Sequence, residues 1–203
     1  MTQTEKPTTT IFDILTLRAK KGTYGYIHTM KRFAAIRAAL CCGFSLLLVI
    51  CGRLIFTRYA GLFTLLAIIS SVPAAMSAVS FIMYARFRTG SREIFDSVES
   101  LRNNAPVFYD SVITTPDKSY GVNCFVALNK NLLAFSDHEK IEVSKLEKYL
   151  QNMARKNGYK DWTIKVFTDF SAYQERLGYL KEKKVKPLNK DREMIELVGN
   201  LSL

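Results

Sequence analysis

The stretch AGLFTLLAIISSVPAAMSAVSFIMYA, residues 60–85, decides the fold of this chain, because its 26 positions contain no Asp, Glu, Lys, Arg or His. A helix needs about 20 apolar residues to cross the hydrocarbon core of a bilayer, so this stretch is long enough. A second uncharged stretch, AALCCGFSLLLVICG at residues 38–52, precedes it between Arg37 and Arg53. It reaches the required length when one arginine extends its charged head to the interface. The two stretches predict a hairpin of two transmembrane helices.

The composition of the rest of the chain predicts a division into three regions. Residues 1–28 are expected to form an N-terminal cytoplasmic segment, in which residues 11–21 have the pattern of a short amphipathic helix. That helix would lie in the headgroup region or pack on the soluble domain. Residues 29–89 are expected to form the transmembrane hairpin. Residues 90–203 are expected to form one cytoplasmic α+β domain, because about 110 residues suffice for a single modest core.

The basic excess of the chain is concentrated beside the apolar stretches. The net charge is +11, and residues 1–37 carry seven basic side chains against two acidic ones. Basic flanks of this kind are typical of the cytoplasmic side of a membrane, so both termini are expected in the cytoplasm of a multi-pass protein of the cell inner membrane. Attraction to a lipid bilayer with anionic headgroups accounts for the charge, and nucleic acid is disfavoured as a partner.

Small residues in the second stretch predict close contact between helices. Ser70, Ala74 and Ala78 recur at four-residue spacing, and Pro73 between them predicts a kink. The small face would pack within the hairpin or join several hairpins into a homo-oligomer. Neither stretch contains an internal acid, amide or histidine, which argues against a proton or ion path through the spans.

The soluble region shows alternating helix and strand patterns in the order helix, three-strand meander, helix, strand, helix. A capping box, Ser144 to Glu147, predicts the start of the helix after the meander, and an earlier start at Ser136 or Asp137 stays open. The predicted segments are helix 92–103, strands 107–114, 120–128 and 132–135, a helix ending at Asn157-Gly158, strand 162–167, a helix through Lys181, and helix 190–200.

The sequence contains no constellation that assigns a catalytic chemistry. The four cysteines show no paired spacing and are expected to be reduced and buried. His28 and His138 lie far apart in sequence, and Asp110 and Asp117 are expected to be an exposed strand acid and a turn former. Glycine-rich phosphate loops and zinc-ligand spacings are absent, so no cofactor and no metal are expected.

The order helix, three strands, helix, strand resembles the core of restriction-endonuclease-like nucleases. That resemblance implies an acid on the second strand and an acid-x-Lys pair on the third, which together hold a divalent metal. The chain departs from this pattern, since neither strand carries an acid. The substitute candidates are Asp110, Asp137, Glu139 and Lys140, which would serve a divergent membrane-tethered nuclease or phosphodiesterase.

The whole chain also resembles uncharacterised two-span bacterial membrane proteins. The resemblance rests on Gly25-Tyr26-Ile27, the basic pair Lys31-Arg32, and the proline-centred second span from Leu62 to Pro73. It implies a membrane topology and no activity.

The sequence therefore favours a non-enzymatic, membrane-anchored module whose α+β domain binds or senses an unknown protein or small ligand. Two alternatives stay open. One is the metal-dependent nuclease or phosphodiesterase, and the other is a pore-forming hairpin with the soluble domain as its sensor.

Overall fold

The computed structural model describes residues 21–54, 58, 60–138, 141–182 and 188–203, and the predicted helix at residues 11–21 lies almost entirely outside them. Within the described residues the chain forms six helices and one mixed four-stranded sheet. The elements are α1 (Tyr26–Leu54), α2 (Ala60–Ala85), α3 (Arg92–Leu101), β1 (Val107–Thr114), β2 (Ser119–Leu128), β3 (Asn131–Phe135), α4 (Val143–Lys156), β4 (Thr163–Phe167), α5 (Phe170–Glu182) and α6 (Asn189–Leu201).

These elements belong to two compact units. The helical unit comprises His28–Arg86 and contains α2 and most of α1. The α+β unit comprises Phe87–Leu203 together with Lys20–Ile27, the short piece of chain that leads into α1. Residues 20–27, which precede the first helix, thus belong to the unit that follows the second helix.

Both helices of the helical unit are long and apolar enough to cross a membrane. In their most hydrophobic windows only 11% of α1 and 17% of α2 is buried inside the protein. Of the 20 large hydrophobic side chains exposed among the described residues, 18 lie on these two helices. The core helix of a water-soluble protein would be mostly buried, so the exposure sets α1 and α2 apart from such helices.

The two long helices pack against each other in antiparallel fashion. The hydroxyl oxygens of Ser45 and Ser70 are 2.6 Å apart, and Gly52 lies directly against the side chain of Phe63. Residues further along α1 therefore contact residues nearer the beginning of α2, as antiparallel packing requires. Small residues at these positions allow the close approach of two backbones.

Six serine and threonine hydroxyls on the long helices are satisfied within the helical unit. Ser70, Ser71 and Ser77 donate to the carbonyl oxygens of Ala67, Ile68 and Pro73, over 2.9, 2.7 and 2.7 Å. Similar bonds are made by Ser45, Thr64 and Ser80. An unsatisfied hydroxyl is costly in an apolar solvent, and these bonds remove that cost.

The sheet has the strand order β1-β2-β3-β4. β1, β2 and β3 form the predicted antiparallel meander, and β4 runs parallel to β3. Asn129 and Lys130 join β2 to β3 with φ angles of 47° and 60°, which is the pattern of a tight hairpin turn. The parallel pair requires a crossover, which α4 supplies.

Helices cover both faces of the sheet, so the α+β unit has three layers and two cores. On one face α4 and α6 pack through Leu146, Leu150 and Met194. On the other face α3 and α5 pack through Val98, Tyr173 and Leu177. The four-strand mixed sheet with flanking helices confirms the α+β class predicted for this region.

The predicted capping box at the start of α4 is wrong. The helix begins at Val143 after Glu142, which makes no side-chain capping bond, and Ser144 lies inside the first turn. The carboxylate of Glu147 accepts a hydrogen bond from the Val166 amide of β4 over 2.9 Å. The Glu147 side chain therefore binds the edge strand β4 instead of capping its own helix.

The outer edge of β1 is covered by distant parts of the chain. The Tyr109 amide donates to the Gly22 carbonyl over 3.0 Å, and the Leu203 amide donates to the Val112 carbonyl over the same distance. The unpaired edge of β1 is thereby blocked to other strands. This arrangement places residues 21–27 beside Asp110.

Candidate functional site

Asp110 occupies an unusual position in the middle of β1. Its side chain is 1% exposed and its φ angle is 47°, the left-handed region, which no other described residue within a strand adopts. Phe108 and Ile113 both face the α4/α6 core, although their odd spacing would place them on opposite faces of a regular strand. The left-handed backbone of Asp110 interrupts the alternation of side chains between the two faces of β1, so that Phe108 and Ile113 can face the same core.

The Asp110 carboxylate binds two segments that lie on either side of the helical unit in sequence. We call residues 21–27 the inbound segment and residues 87–91 the outbound segment. The Gly25 amide of the inbound segment donates to Oδ2 over 2.7 Å, and the Gly90 amide of the outbound segment donates to Oδ1 over 3.3 Å. One buried carboxylate therefore fastens both segments to the sheet.

Glycine is favoured at both contacts, for different reasons. Gly25 has a φ angle of 86°, which side chains rarely tolerate. At Gly90 an added Cβ would lie 2.8 Å from Asn123 Nδ2 and 3.3 Å from Asn123 Cβ, which is too close. The two glycines bring their backbone amides within reach of a carboxylate that has little room around it.

Burial raises the pKa of Asp110 above its ordinary value, because charge is disfavoured away from water. The hydrogen bonds from the Gly25 and Gly90 amides act in the opposite direction, and the negative charge of Asp137 adds to the increase. The Gly25 and Gly90 amides bind the carboxylate, and within the described part of the chain Asp110 forms no ion pair. That arrangement fits an anchoring role better than proton transfer.

The neighbours of Asp110 on β2 and after β3 are also engaged in structural contacts. The Asn123 side-chain oxygen accepts a hydrogen bond from the Asp137 amide over 3.1 Å. His138 packs its ring on Gly121 and meets the Phe87 ring edge to face, with 5.9 Å between centroids. The outbound segment therefore covers this end of the sheet.

The candidate acids do not form a metal site in the described part of the chain. Asp117 is exposed in the turn between β1 and β2, and Asp137 is exposed just beyond β3. Glu139 and Lys140 lie outside the described residues. Among the residues that the structure does describe, no three His, Cys, Asp or Glu side chains lie together as metal ligands would.

Other reactive groups of the α+β unit are held in unreactive states. Burial raises the pKa of Cys124 to about 12, so its thiol is protonated, and it donates to the Tyr173 hydroxyl over 3.5 Å. Burial also raises the pKa of Tyr109, whose hydroxyl donates to Glu99 over 2.8 Å. A thiol must ionise to act as a nucleophile, so Cys124 is a core residue.

An open depression of about 360 Å³ lies beside α5. It is lined by Phe167, Ala172, Glu175, Arg176 and Tyr179. The Arg176 guanidinium lies over the Tyr179 ring at 5.7 Å from its centroid. The depression presents an aromatic surface with one charge of each sign, and it brings no acid–base pair together with a nucleophile.

The packing residues predicted in α2 occupy different environments. Ala74 is 7% exposed and lies on the buried face with Ala67 and Ser77. Ser70 contacts Ser45 of α1, and Pro73 is half-buried within a helix that continues past it. Ala78 is exposed. Assembly of several hairpins through such residues stays a prediction.

Sequence reasoning missed the anchoring role of Asp110 and assigned it to an exposed strand position. A usable signal was present, because Asp110 is the one acid within the predicted strand 107–114 and a glycine flanks each end of the hairpin. Which backbone amides it would bind depended on contacts across 85 and 20 residues of sequence. Local patterns carry no information about such pairs.

The comparisons with known proteins give no family for this chain. No protein-family model matches it, and there is no significant match among curated proteins or solved structures.

Proposed function

We propose that this protein is a two-span integral membrane protein that holds an α+β binding or sensing domain at the cytoplasmic face of the cell inner membrane. The observation that carries the proposal is the exposure of 18 large apolar side chains on α1 and α2. Contiguous apolar surface of that extent needs a nonpolar solvent or a partner, and two uncharged helices of this length suit a bilayer.

The polar chemistry of the helical unit supports the same proposal. Hydroxyl groups on α1 and α2 bond to backbone carbonyls or to each other. The span from residue 28 to residue 86 contains no Asp or Glu. Both features are favourable in lipid, where unsatisfied polar groups and buried charges are costly.

The distribution of basic residues supports the orientation. Lys31, Arg32 and Arg37 accompany the beginning of α1, and Arg86 and Arg88 follow the end of α2. The connection between the helices carries only Arg53 and Arg58. The side with more Lys and Arg in short flanks stays in the cytoplasm, so both termini face inward.

A binding or sensing role for the α+β unit follows from how its polar groups are used. Asp110 anchors backbone segments, Cys124 is a protonated core thiol, and the Asp117 and Asp137 side chains are exposed. The depression beside α5 offers an aromatic and charged surface to a protein or small ligand. The anchored segments connect this domain directly to the hairpin.

The orientation is tested with single cysteines in a variant whose four native cysteines are replaced by serine or alanine. Arg58→Cys reports the connection between the helices, and Lys148→Cys reports the exposed surface of α4. A maleimide reagent that cannot cross membranes is added to intact cells stripped of any outer barrier. We expect labelling of the Arg58→Cys protein before lysis and of the Lys148→Cys protein only after lysis.

Carbonate extraction of membranes tests insertion independently of orientation. The protein is expected to remain in the membrane pellet at high pH. Release into the supernatant would contradict insertion. Labelling of the Lys148→Cys protein in intact cells would contradict the proposed orientation and leave insertion unaffected.

A further inference from the structure

The two edges of the sheet are treated differently. The strand order makes β1 and β4 the edge strands, and the backbone of Gly22 and Leu203 bonds to the outer edge of β1. Within the described residues no backbone segment pairs with the outer edge of β4. An edge strand with unpaired N–H and C=O groups is a template for another strand.

The hydrogen bonds of β4 show which of its residues face inward. The Thr163 amide donates to the Lys130 carbonyl over 2.9 Å, and the Phe167 carbonyl accepts from the Ser136 amide over 3.0 Å. Successive residues of a strand turn their backbone groups to opposite edges. Residues 163, 165 and 167 therefore face β3, and residues 164 and 166 face outward.

Three backbone groups on the outer edge are left without a partner among the described residues. The Val166 amide donates to the Glu147 carboxylate over 2.9 Å. The N–H and C=O of Ile164 and the C=O of Val166 make no such bond. These groups are sufficient to align an added extended segment along β4.

The side chains beside this edge include an exposed cation. Thr163 and Lys165 are exposed, and they lie on the same face of β4 as Phe167. Lys165 forms no ion pair with the described residues. At about 3.3 Å per residue, Lys165 and Phe167 are about 7 Å apart along the strand.

The depression beside α5 adjoins the same strand, since Phe167 of β4 forms part of its lining. Ala172, Arg176 and Tyr179 line it from α5, and their spacing places them on one stripe of that helix. Tyr179 is 48% exposed, although only two large hydrophobic side chains outside α1 and α2 are exposed among the described residues. An apolar surface therefore lies next to the unpaired strand edge.

We propose that the outer edge of β4 binds an extended segment of another protein, which adds to the sheet as a fifth strand. An acidic side chain of that segment lies beside Lys165, and an apolar side chain two residues away lies in the depression against Phe167 and Tyr179. Main-chain hydrogen bonds supply affinity in such strand addition, and alternate side chains supply specificity. The inference rests on the binding role in the proposed function and names the chemistry of the partner.

The position of Lys165 argues for a different protein as partner and against a second copy of this chain. Lys165 is the middle residue of β4, so a symmetric antiparallel pair of two β4 strands centred there would place two lysines directly opposite each other. Like charges in that position are destabilising, whereas an opposite charge stabilises the pair. A lysine on an edge strand thus opposes self-association and favours an acidic segment.

The test measures binding of the fluorescein-labelled peptide Thr-Val-Thr-Glu-Thr-Phe-Thr to the full chain in detergent by fluorescence anisotropy. Its counterpart with lysine in place of glutamate should bind the wild-type protein about fivefold more weakly. Lys165→Glu should reverse this preference. Lys190→Glu makes the same charge change at an exposed position on α6, on the other face of the sheet, and should leave the preference unchanged.

N-methylation of the peptide tests the backbone contacts without changing the protein. Amides of successive peptide residues face alternately toward β4 and toward solvent. Methylation at the glutamate and methylation at a neighbouring threonine should therefore differ, with a loss of about tenfold at one position and little loss at the other. Equal effects at the two positions would exclude strand addition.

Two other outcomes would overturn the proposal. One is equal affinity of the wild-type protein for the glutamate and lysine peptides. The other is a dimer in detergent that the peptide dissociates, because it would identify a second copy as the occupant of the edge. Trp162 fluorescence of each variant confirms that its α+β unit is folded. Peptide binding in detergent requires neither insertion nor a given orientation, so its failure is distinct from a failure of carbonate extraction or cysteine labelling.

Discussion

At the scale of single residues, the informative feature is a buried carboxylate that binds backbone amides. Asp110 has 1% exposure and a left-handed backbone, and it accepts hydrogen bonds from Gly25 and Gly90. Both strain and burial are costly, and such costs persist where the surrounding structure requires the residue. Here the requirement is that two segments remote in sequence lie on one strand.

Replacing Asp110 by alanine should destabilise the α+β unit by about 1–3 kcal/mol, because the Gly25 and Gly90 amides lose their acceptor. Urea unfolding of the full chain in detergent measures this through Trp162, the single tryptophan, which is buried in that unit. Asp117→Ala, in an exposed turn, should change the unfolding free energy by no more than about 0.5 kcal/mol. Equal effects of the two substitutions would argue against the anchoring role.

Asp110 should also make a signed contribution to the pH dependence of stability. Its pKa in the folded protein is raised, so the folded state binds the proton more tightly than the unfolded state does. The free energy of unfolding should therefore increase as the pH falls through the folded pKa toward the ordinary value of 3.8. Above the folded pKa the carboxylate is charged in both states, and the full free-energy cost of burying that charge lowers the stability.

The comparison that isolates this contribution is the wild type against Asp110→Asn over the same pH range. Other carboxylates titrate in both proteins and cancel in the difference. The free energy of unfolding of the wild type minus that of Asp110→Asn should increase as the pH falls. A difference that is constant with pH, or that shifts in favour of the variant, would be inconsistent with a raised pKa.

At the scale of elements, the helix pair is organised by small residues at specific positions. Gly52 lies against Phe63, whereas Gly43 in the same helix has no atom within 4 Å of an added Cβ. Ala74 is buried and Ala78 is exposed although both belong to the same four-residue pattern. Spacing identifies the candidates, and the crossing of the two helices selects among them.

Gly52→Ala should weaken the packing of α1 against α2 by about 1–3 kcal/mol, because the new Cβ would lie 2.5 Å from Phe63 Cβ and the helices must separate. Gly43→Ala meets no neighbour and should leave packing unchanged. Thermal denaturation of both variants in the same detergent, followed by far-ultraviolet circular dichroism, makes the comparison. A lower midpoint for Gly43→Ala than for Gly52→Ala would refute the packing.

At the scale of the whole molecule, the α+β unit is completed by residues on both sides of the hairpin. The inbound segment supplies Gly22 to the edge of β1 and Gly25 to Asp110. The Gly25 and Gly90 amides reach the same carboxylate, so the two segments lie close together. In sequence, the hairpin is therefore inserted between two parts of one α+β unit.

Replacing residues 28–86 by about eight glycine and serine residues, a flexible length of about 15 Å, should give a soluble, folded α+β unit. Residues 87–203 alone should be less stable by about 1–3 kcal/mol, because the Asp110 and Tyr109 bonds to the inbound segment are lost. Urea unfolding followed by Trp162 fluorescence compares the two. Equal stability would show that the inbound segment does not complete the unit.

The sequence by itself determined the elements whose signals are local. The uncharged stretch at residues 60–85 matches α2, and the predicted strand 107–114 matches β1. Both follow from side-chain character along a short length of chain, apolar over a helix or β-branched and aromatic over a strand. The antiparallel meander followed because tight turns leave neighbouring strands no other pairing.

Only the tertiary structure decided which distant groups meet. Asp110 was expected at an exposed position and is buried under the inbound and outbound segments, and the Glu147 side chain serves β4 instead of a capping box. These outcomes depend on contacts between segments separated by tens of residues, whose free energies exceed a local preference. The candidate site at Asp110 exists only in the folded chain, where the inbound and outbound segments both lie on β1.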